Sequence, residues 1–229
     1  MSKPFNFEDF CFSTEYTICS SLGEMENARY FQEIEGKIFV EDTSEGNKKV
    51  VGRLSSVKLL LGEGLNDGWD AYSIFDNEQG TLDLGSDIYD FETNDWNEEL
   101  NKKFSYDLLE PNVLILQSIE ILPDFRGNNM GYRFVKDFIL NFAHACAIVA
   151  VDKEPFDIQT NFKEKHIEDS FTKMMNYHKM ITNYEKITYM LLHYFTSLGF
   201  RYFPEISEKY LFMCPSQINK KLASVEFDL

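Results

Sequence analysis

The 229-residue chain is 44% hydrophobic, with 21 Phe and 12 Tyr, which fills a sizeable core and excludes a disordered polymer. Its 38 acidic and 22 basic residues give a formal charge of -16, which argues against a nucleic-acid surface and leaves room for one local anion site or for cationic partners. The opening "MSKPFNFEDF" lacks an apolar signal core, and no apolar run approaches a membrane span, so a cytoplasmic protein without a membrane partner is expected.

The length suits a single domain, 1–229, with insertions at about 63–110 and 153–180. Cys11, Cys19, Cys146 and Cys214 form no CxxC pair, and three of the four stand in apolar surroundings, the usual setting of a reduced core thiol. His144, His166, His178 and His193 are scattered, and no metal site is expected from them.

In chain order, "KIFVED" and "KKVVGRLSSVKLLL" flank the turn-like "TSEGN" and predict an antiparallel strand pair. "WDAYSIFD" has helical spacing, with Trp69, Tyr72, Ser73 and Asp76 marking turns of one helix. The segment from Gly80 to Phe104 is polar and acidic, and reads as short helices and loops. Val113 to Leu122 is apolar at almost every position, as in a central strand covered on both faces.

From Met130 the period changes. Phe134, Val135, Phe138, Ile139, Phe142 and Ala145 fall on one helical face, with Arg133, Lys136, Asp137, Asn141 and His144 on the other. "CAIVAV" predicts a second buried strand, and residues 153 to about 180 a polar, helix-prone insertion. A long helix with Ile187, Leu191, Tyr194, Phe195 and Leu198 on its apolar side follows, ended by Gly199. "FRYFPEISEKYLFMCP" reads as a terminal hairpin turning around "PEISE". The expected fold is α/β, with a mixed, mostly antiparallel central sheet flanked by helices.

The stretch "ILPDFRGNNMGYRFV" places Arg126, Gly127, two asparagines and Gly131 between a buried strand and an amphipathic helix. A helix start offers unpaired N–H groups and the positive end of the dipole. Glycines let a ligand's oxygens approach the backbone, and an arginine adds a charge-assisted bond. These properties suit a pyrophosphate, and an ordinary strand-to-helix turn accounts for the same residues equally well. There is no GxGxxG and no GxxxxGK[ST], so dinucleotide and P-loop readings lack their residues.

"ILPDFRGNNMG" resembles motif A of the GCN5-related N-acetyltransferases: Arg or Gln, two residues, Gly, one residue, then Gly or Ala. Arg126 and Gly131 match its ends, and Asn129 stands where the inner glycine is usual. "LLHYFTSLGFRYF" resembles the family's late helix and strand, which commonly end Tyr-x-x-x-Gly-Phe. As a plan the resemblance runs from about 30 to 215; only these two blocks are specific.

The resemblance implies acetyl transfer from acetyl-CoA, as cosubstrate, to an amine. Ile119 and Ile121 occupy the strand positions whose backbone pairs with the pantetheine amides. Arg126, Gly127, Asn128, Asn129, Met130, Gly131 and Tyr132 occupy the pyrophosphate loop. The family's thiolate-protonating tyrosine falls on Phe195, which donates no proton, leaving the neighbouring Tyr194 or water as acid; an asparagine often found seven residues earlier is Thr188 here. Glu120, on a near-wholly apolar strand, is the candidate base, unless it pairs with a nearby Arg or Lys or turns to solvent.

Between Glu63 and Glu110, 14 acidic residues face only Lys102 and Lys103, a net of -12. Such a run is either solvated surface or, with Trp69, Tyr72, Phe75, Tyr89, Phe91 and Trp96 interleaved, a surface that steers and stacks on a cationic amine acceptor. A second reading, from another class, is a protein of this fold that binds CoA, or nothing, and serves as a sensor or partner-binding module. Phe195 and Asn129 favour it, and turnover of an amine with acetyl-CoA separates the two. An RNA-directed acetylating enzyme would need a basic surface, which the charge disfavours.

Overall fold

The computed structural model describes residues 10–20, 26–42, 46–127, 129–153, 170–175, 184–217 and 219–226. Its centre is a seven-stranded sheet made of β1 (Phe10–Ser20), β2 (Phe31–Asp42), β3 (Lys48–Leu59), β6 (Asn112–Ile121), β7 (Cys146–Asp152), β8 (Arg201–Tyr202) and β9 (Tyr210–Met213). Their order across the sheet is β1-β2-β3-β6-β7-β9-β8. Every neighbouring pair is antiparallel except β6 and β7. The expected mixed, mostly antiparallel sheet is present, including the β2–β3 pair and the β8–β9 hairpin.

β1 was not anticipated from the sequence. Phe10, Phe12 and Tyr16 recur along it and pack on the core, while most of the strand is exposed at the sheet edge. Tyr16 ties the strand down by donating to Asp137 at 2.7 Å. Cys11 and Cys19 on this edge are exposed, which corrects the expectation of three buried thiols; Cys146 and Cys214 are the buried pair. Burial pushes the Cys146 thiol up to about 11, as expected of an unreactive core cysteine.

Helix α5 (Met130–Phe142) buries Met130, Phe134, Val135, Phe138 and Ile139 against one face of the sheet, beside α7 (Tyr184–Ser197). Ala145 lies past the end of α5 at φ +57° and is exposed, so it leaves the predicted face; Ala143 is buried there instead. The short α6 (Ser170–Met175) contributes Phe171 and Met175 to the same core. The rest of the predicted insertion after Lys153, with His166 and His178, lies outside the described residues.

The acidic segment covers the opposite face. It forms α1 (Leu61–Asn66), α2 (Ala71–Phe75), α3 (Gln79–Ile88), the small hairpin of β4 (Tyr89–Asp90) and β5 (Asp95–Trp96), and α4 (Glu98–Lys103). The predicted helix around "WDAYSIFD" is shorter than expected: Asp70 caps it by accepting from the Ser73 N–H at 2.8 Å, so Trp69 precedes it. Ile74, Phe75, Leu84, Ile88, Leu100 and Phe104 are fully enclosed in a second core. Among the described residues no helix is long and apolar enough to cross a membrane.

Helix α7 stops where the sequence places its stop. Gly199 has φ +96°, and a Cβ there would stand 2.3 Å from the Asn219 side chain, which donates to Leu198 O and caps α8 (Lys220–Ala223). Gly199→Ala is expected to cost about 2 kcal/mol, since the left-handed conformation alone costs about 1 kcal/mol or more. The melting temperature should fall by about 4–8 °C. A variant that melts with wild type would rule out this account of the α7–α8 corner.

Candidate functional site

The site begins with one extra residue in β6. β3 pairs with Ser118 through Ser55 but with Leu116 through Ser56, so Gln117 bulges from the ladder. On its other side β6 runs parallel to β7 only from Asn112 to Leu116, the last pair being Leu116 with Val151. β7 then stays with β9 as far as Asp152. Beyond the bulge β6 keeps β3, and among the described residues no strand covers its β7 side.

The Leu122 N–H donates to Val51 O at 2.9 Å, which fixes the alternation of the antiparallel ladder. The peptide groups of Ser118 and Glu120 face β3, and those of Ile119 and Ile121 face the open side. The Ile121 carbonyl accepts from Arg126 Nε at 2.8 Å. The fully buried first half of β6 matches its apolar sequence, and the half-buried second half departs from it because β7 has left.

The strand leads through a 3-10 turn (Pro123–Phe125) into the loop before α5. Gly127 has φ +89°, a conformation that favours glycine, and Asn129 sits in the left-handed region at the N-cap without capping any N–H through its side chain. Asn128 lies outside the described residues. Met130 offers only its backbone, since its side chain is in the core.

Gly131 is required for space: a Cβ there would stand 2.8 Å from the Tyr194 hydroxyl. Tyr194 stacks on Tyr132, ring centroids 4.7 Å apart and 12° from parallel. Ser197 secures the pair, with Oγ 2.6 Å from the Tyr194 carbonyl and 2.9 Å from the Tyr132 hydroxyl. The Tyr194 hydroxyl is shielded from solvent and has no hydrogen-bond partner among the described residues. Burial, helped by Tyr132, pushes its pKa above the ordinary phenol value, so it remains a protonated donor. Phe195 turns into the core against Phe200, and the Thr188 hydroxyl is another shielded oxygen on α7 without a partner among the described residues.

Glu120 is half-buried, stands opposite Arg53 in the ladder, and lies on the other face of β6 from Ile119 and Ile121, which pack toward α5. Gly131, Tyr132 and Tyr194 are therefore one assembly, and Glu120 belongs to the opposite face. Three residues there escaped sequence reading. Gln117 donates to Glu78 at 3.3 Å and accepts from Ser55 at 3.1 Å. Gln117 did leave a signal, as a polar residue inside the apolar run; Glu78 and Ser55 left none.

The aromatic residues of the acidic segment do not form a stacking surface. Phe75, Tyr89 and Trp96 are buried in the second core, Trp69 and Phe91 pack against it, and only Tyr72 is largely exposed, edge-on to Phe91. Hydrophobic burial outweighs cation stacking for rings of this size.

Gly131→Ala should lower stability by about 1–3 kcal/mol through overpacking against the Tyr194 oxygen. Tyr194→Phe removes that oxygen and should restore most of the loss in the double variant, a coupling readable in urea melts. Strict additivity of the two changes would show that the two side chains do not meet. No family model matches the chain, and no curated protein and no solved structure shows significant similarity to it.

Proposed function

We propose that the chain is an N-acetyltransferase of the GCN5-related kind, moving an acetyl group from acetyl-CoA to a cationic primary amine. The observation that carries the reading is the continuity of the open side of β6 with an uncapped helix start. Outward-facing peptide groups at Ile119 and Ile121 run directly into Arg126, Gly127 and the first turn of α5.

A slender ligand with spaced amides and an anionic end matches that sequence of groups. Ile119 and Ile121 would pair with the amides as a missing strand does. The N–H groups of Met130 and Gly131, with the helix dipole, suit the diphosphate. Arg126, already at the end of the open strand through its bond to Ile121, is placed to exchange that carbonyl for a phosphate oxygen. The thioester supplies an activated acyl group. Tyr194 can offer its hydroxyl hydrogen to a departing thiolate, which Phe195 cannot; the burial that keeps it protonated makes it a weaker acid than an ordinary phenol.

The second reading, a CoA-binding or partner-binding module without turnover, keeps one specific support: the Tyr194 hydroxyl lies against Gly131 and is shielded from solvent. Calorimetry with acetyl-CoA and an amine screen followed by mass spectrometry separate the two.

Arg126→Ala should weaken acetyl-CoA binding by about one to two orders of magnitude, as loss of a contact worth about 1.5–3 kcal/mol requires. Equal affinity in both proteins would remove Arg126 from the site. Tyr194→Phe should reduce turnover while leaving acetyl-CoA affinity level. An unchanged rate would assign the proton to water.

A further inference from the structure

We infer that Glu78 takes the proton from the acceptor's ammonium, at the point where β6 parts from β7, and so is the base of the acyl transfer. This rests on the acetyltransferase reading above and names a residue from the acidic segment, outside both motif blocks.

Glu78 is the N-cap residue of α3, where it forms a capping box with Thr81. Within the box the Glu78 N–H donates to Thr81 Oγ1 at 3.3 Å, and Thr81 donates to Phe75 O at 2.5 Å. The carboxylate also reaches back to the sheet, where Gln117 Nε2 donates to it at 3.3 Å and Ser55 Oγ donates to Gln117 Oε1 at 3.1 Å. Gln117 is the bulged residue, next to Leu116, the last residue paired with β7. Glu78 is thereby held one side chain away from the place where the strands separate.

The face is the right one for an acceptor. Val113 and Ile115 belong to the second core, and Gln117 continues their alternation, whereas Tyr132, Tyr194 and the side chains of Ile119 and Ile121 lie on the α5 face. Cosubstrate and amine would meet through the sheet from opposite sides. By the same alternation Glu33, Glu35 and Lys37 of β2, Arg53 of β3 and Glu120 of β6 share the Glu78 face. Burial and the Glu33 charge raise the Glu78 carboxyl above its ordinary value, which makes it the stronger base. Glu120 stands opposite Arg53 in the ladder, and the Arg53 guanidinium lies over the Phe171 ring, 4.2 Å from its centroid.

In the step, Glu78 accepts one proton from R–NH3+, and the amine lone pair forms the C–N bond at the thioester carbonyl. The second amine proton and the C–S electron pair leave as the bond breaks, giving amide and thiol. Glu78 then returns its proton to solvent, so one proton is released per turnover.

The test uses the whole chain with acetyl-CoA and spermidine, an aminoglycoside and lysine methyl ester as amines. Glu78→Gln should lower kcat/KM at neutral pH by about 10²–10⁴-fold. The loss should shrink about tenfold per pH unit as free amine accumulates, with acetyl-CoA affinity unchanged by calorimetry. Glu78→Asp should keep the wild-type acid limb at a reduced rate. Independently of turnover, carboxyl carbon-13 NMR of the unliganded protein should show one glutamate titrating above the ordinary range, absent in Glu78→Gln. Ordinary titration of Glu78, or equal losses in both variants without a change of pH profile, would overturn the assignment and leave the acetyltransferase reading standing. Wild-type protein that binds no acetyl-CoA would overturn that reading and this one with it.

Discussion

A sheet cannot keep both neighbours of a strand once one of them turns away, and in this protein the decision is made at Gln117. The extra residue breaks the β3–β6 register and adds local twist, and from there β6 follows β3 while β7 follows β9. Peptide groups at the centre of a sheet are thereby turned toward a side without a strand among the described residues, and buried backbone groups demand partners. Arg126 meets one such demand at the Ile121 carbonyl. After Asn112 at its start, the polar residues of the strand, Gln117, Ser118 and Glu120, stand at or beyond this point of separation.

The two faces around that opening are built differently because two cores cover them. On one face α5 and α7 press aromatic and aliphatic side chains to the sheet, and the space a Gly131 side chain would take is filled by a tyrosine oxygen. A shielded hydroxyl left without a partner costs about 1–3 kcal/mol, and that of Tyr194 has none among the described residues, beside a helix start without a side-chain cap. On the other face the small helices α1 to α4 enclose their own core and place Glu78, the N-cap of α3, within reach of Gln117 on the sheet. An opening with a proton donor on one side and a carboxylate on the other suits a reaction in which one partner loses a proton and the other gains one.

Much of this frame was legible in the sequence because it depends on periodicity and on glycine. The apolar run of β6, the helical face of α5 and the stop at Gly199 are local signals, and each lies where the pattern puts it. The peptide groups of Ile119 and Ile121 face away from β3, toward the side of β6 that carries no strand among the described residues. What stayed hidden depends on register or on distant partners. β1 pairs along its whole length with β2, yet its short alternation resembles many loops. The bulge is a property of two strands and leaves only a glutamine as its mark. Glu78 reaches Gln117 across 39 positions of chain, which no local pattern encodes. The interleaved aromatics misled for a physical reason: in sequence they look like a display, and in space their area is worth more inside a core.

That loss of the aromatics changes what the acidity can do. With Phe75, Tyr89 and Trp96 enclosed, the segment that holds -12 of the chain's -16 offers carboxylates without stacking faces. Their collective field draws cations over short range only, because exposed charges are screened beyond about 8 Å at physiological ionic strength. Several are already spent locally: Asp70 caps α2, Asp90 accepts from the N–H groups of Glu92 and Thr93, and Glu98 and Glu99 hold Lys102. On the acetyltransferase proposal, selectivity for an amine would fall to the carboxylates nearest the opening, Glu33, Glu35, Glu78 and Glu120, which come from β2, β6 and the start of α3. Three of these four stand on strands outside the acidic segment. The charge that counts for chemistry is set by strand register at the bulge, and the conspicuous acidic run contributes to it chiefly by delivering Glu78.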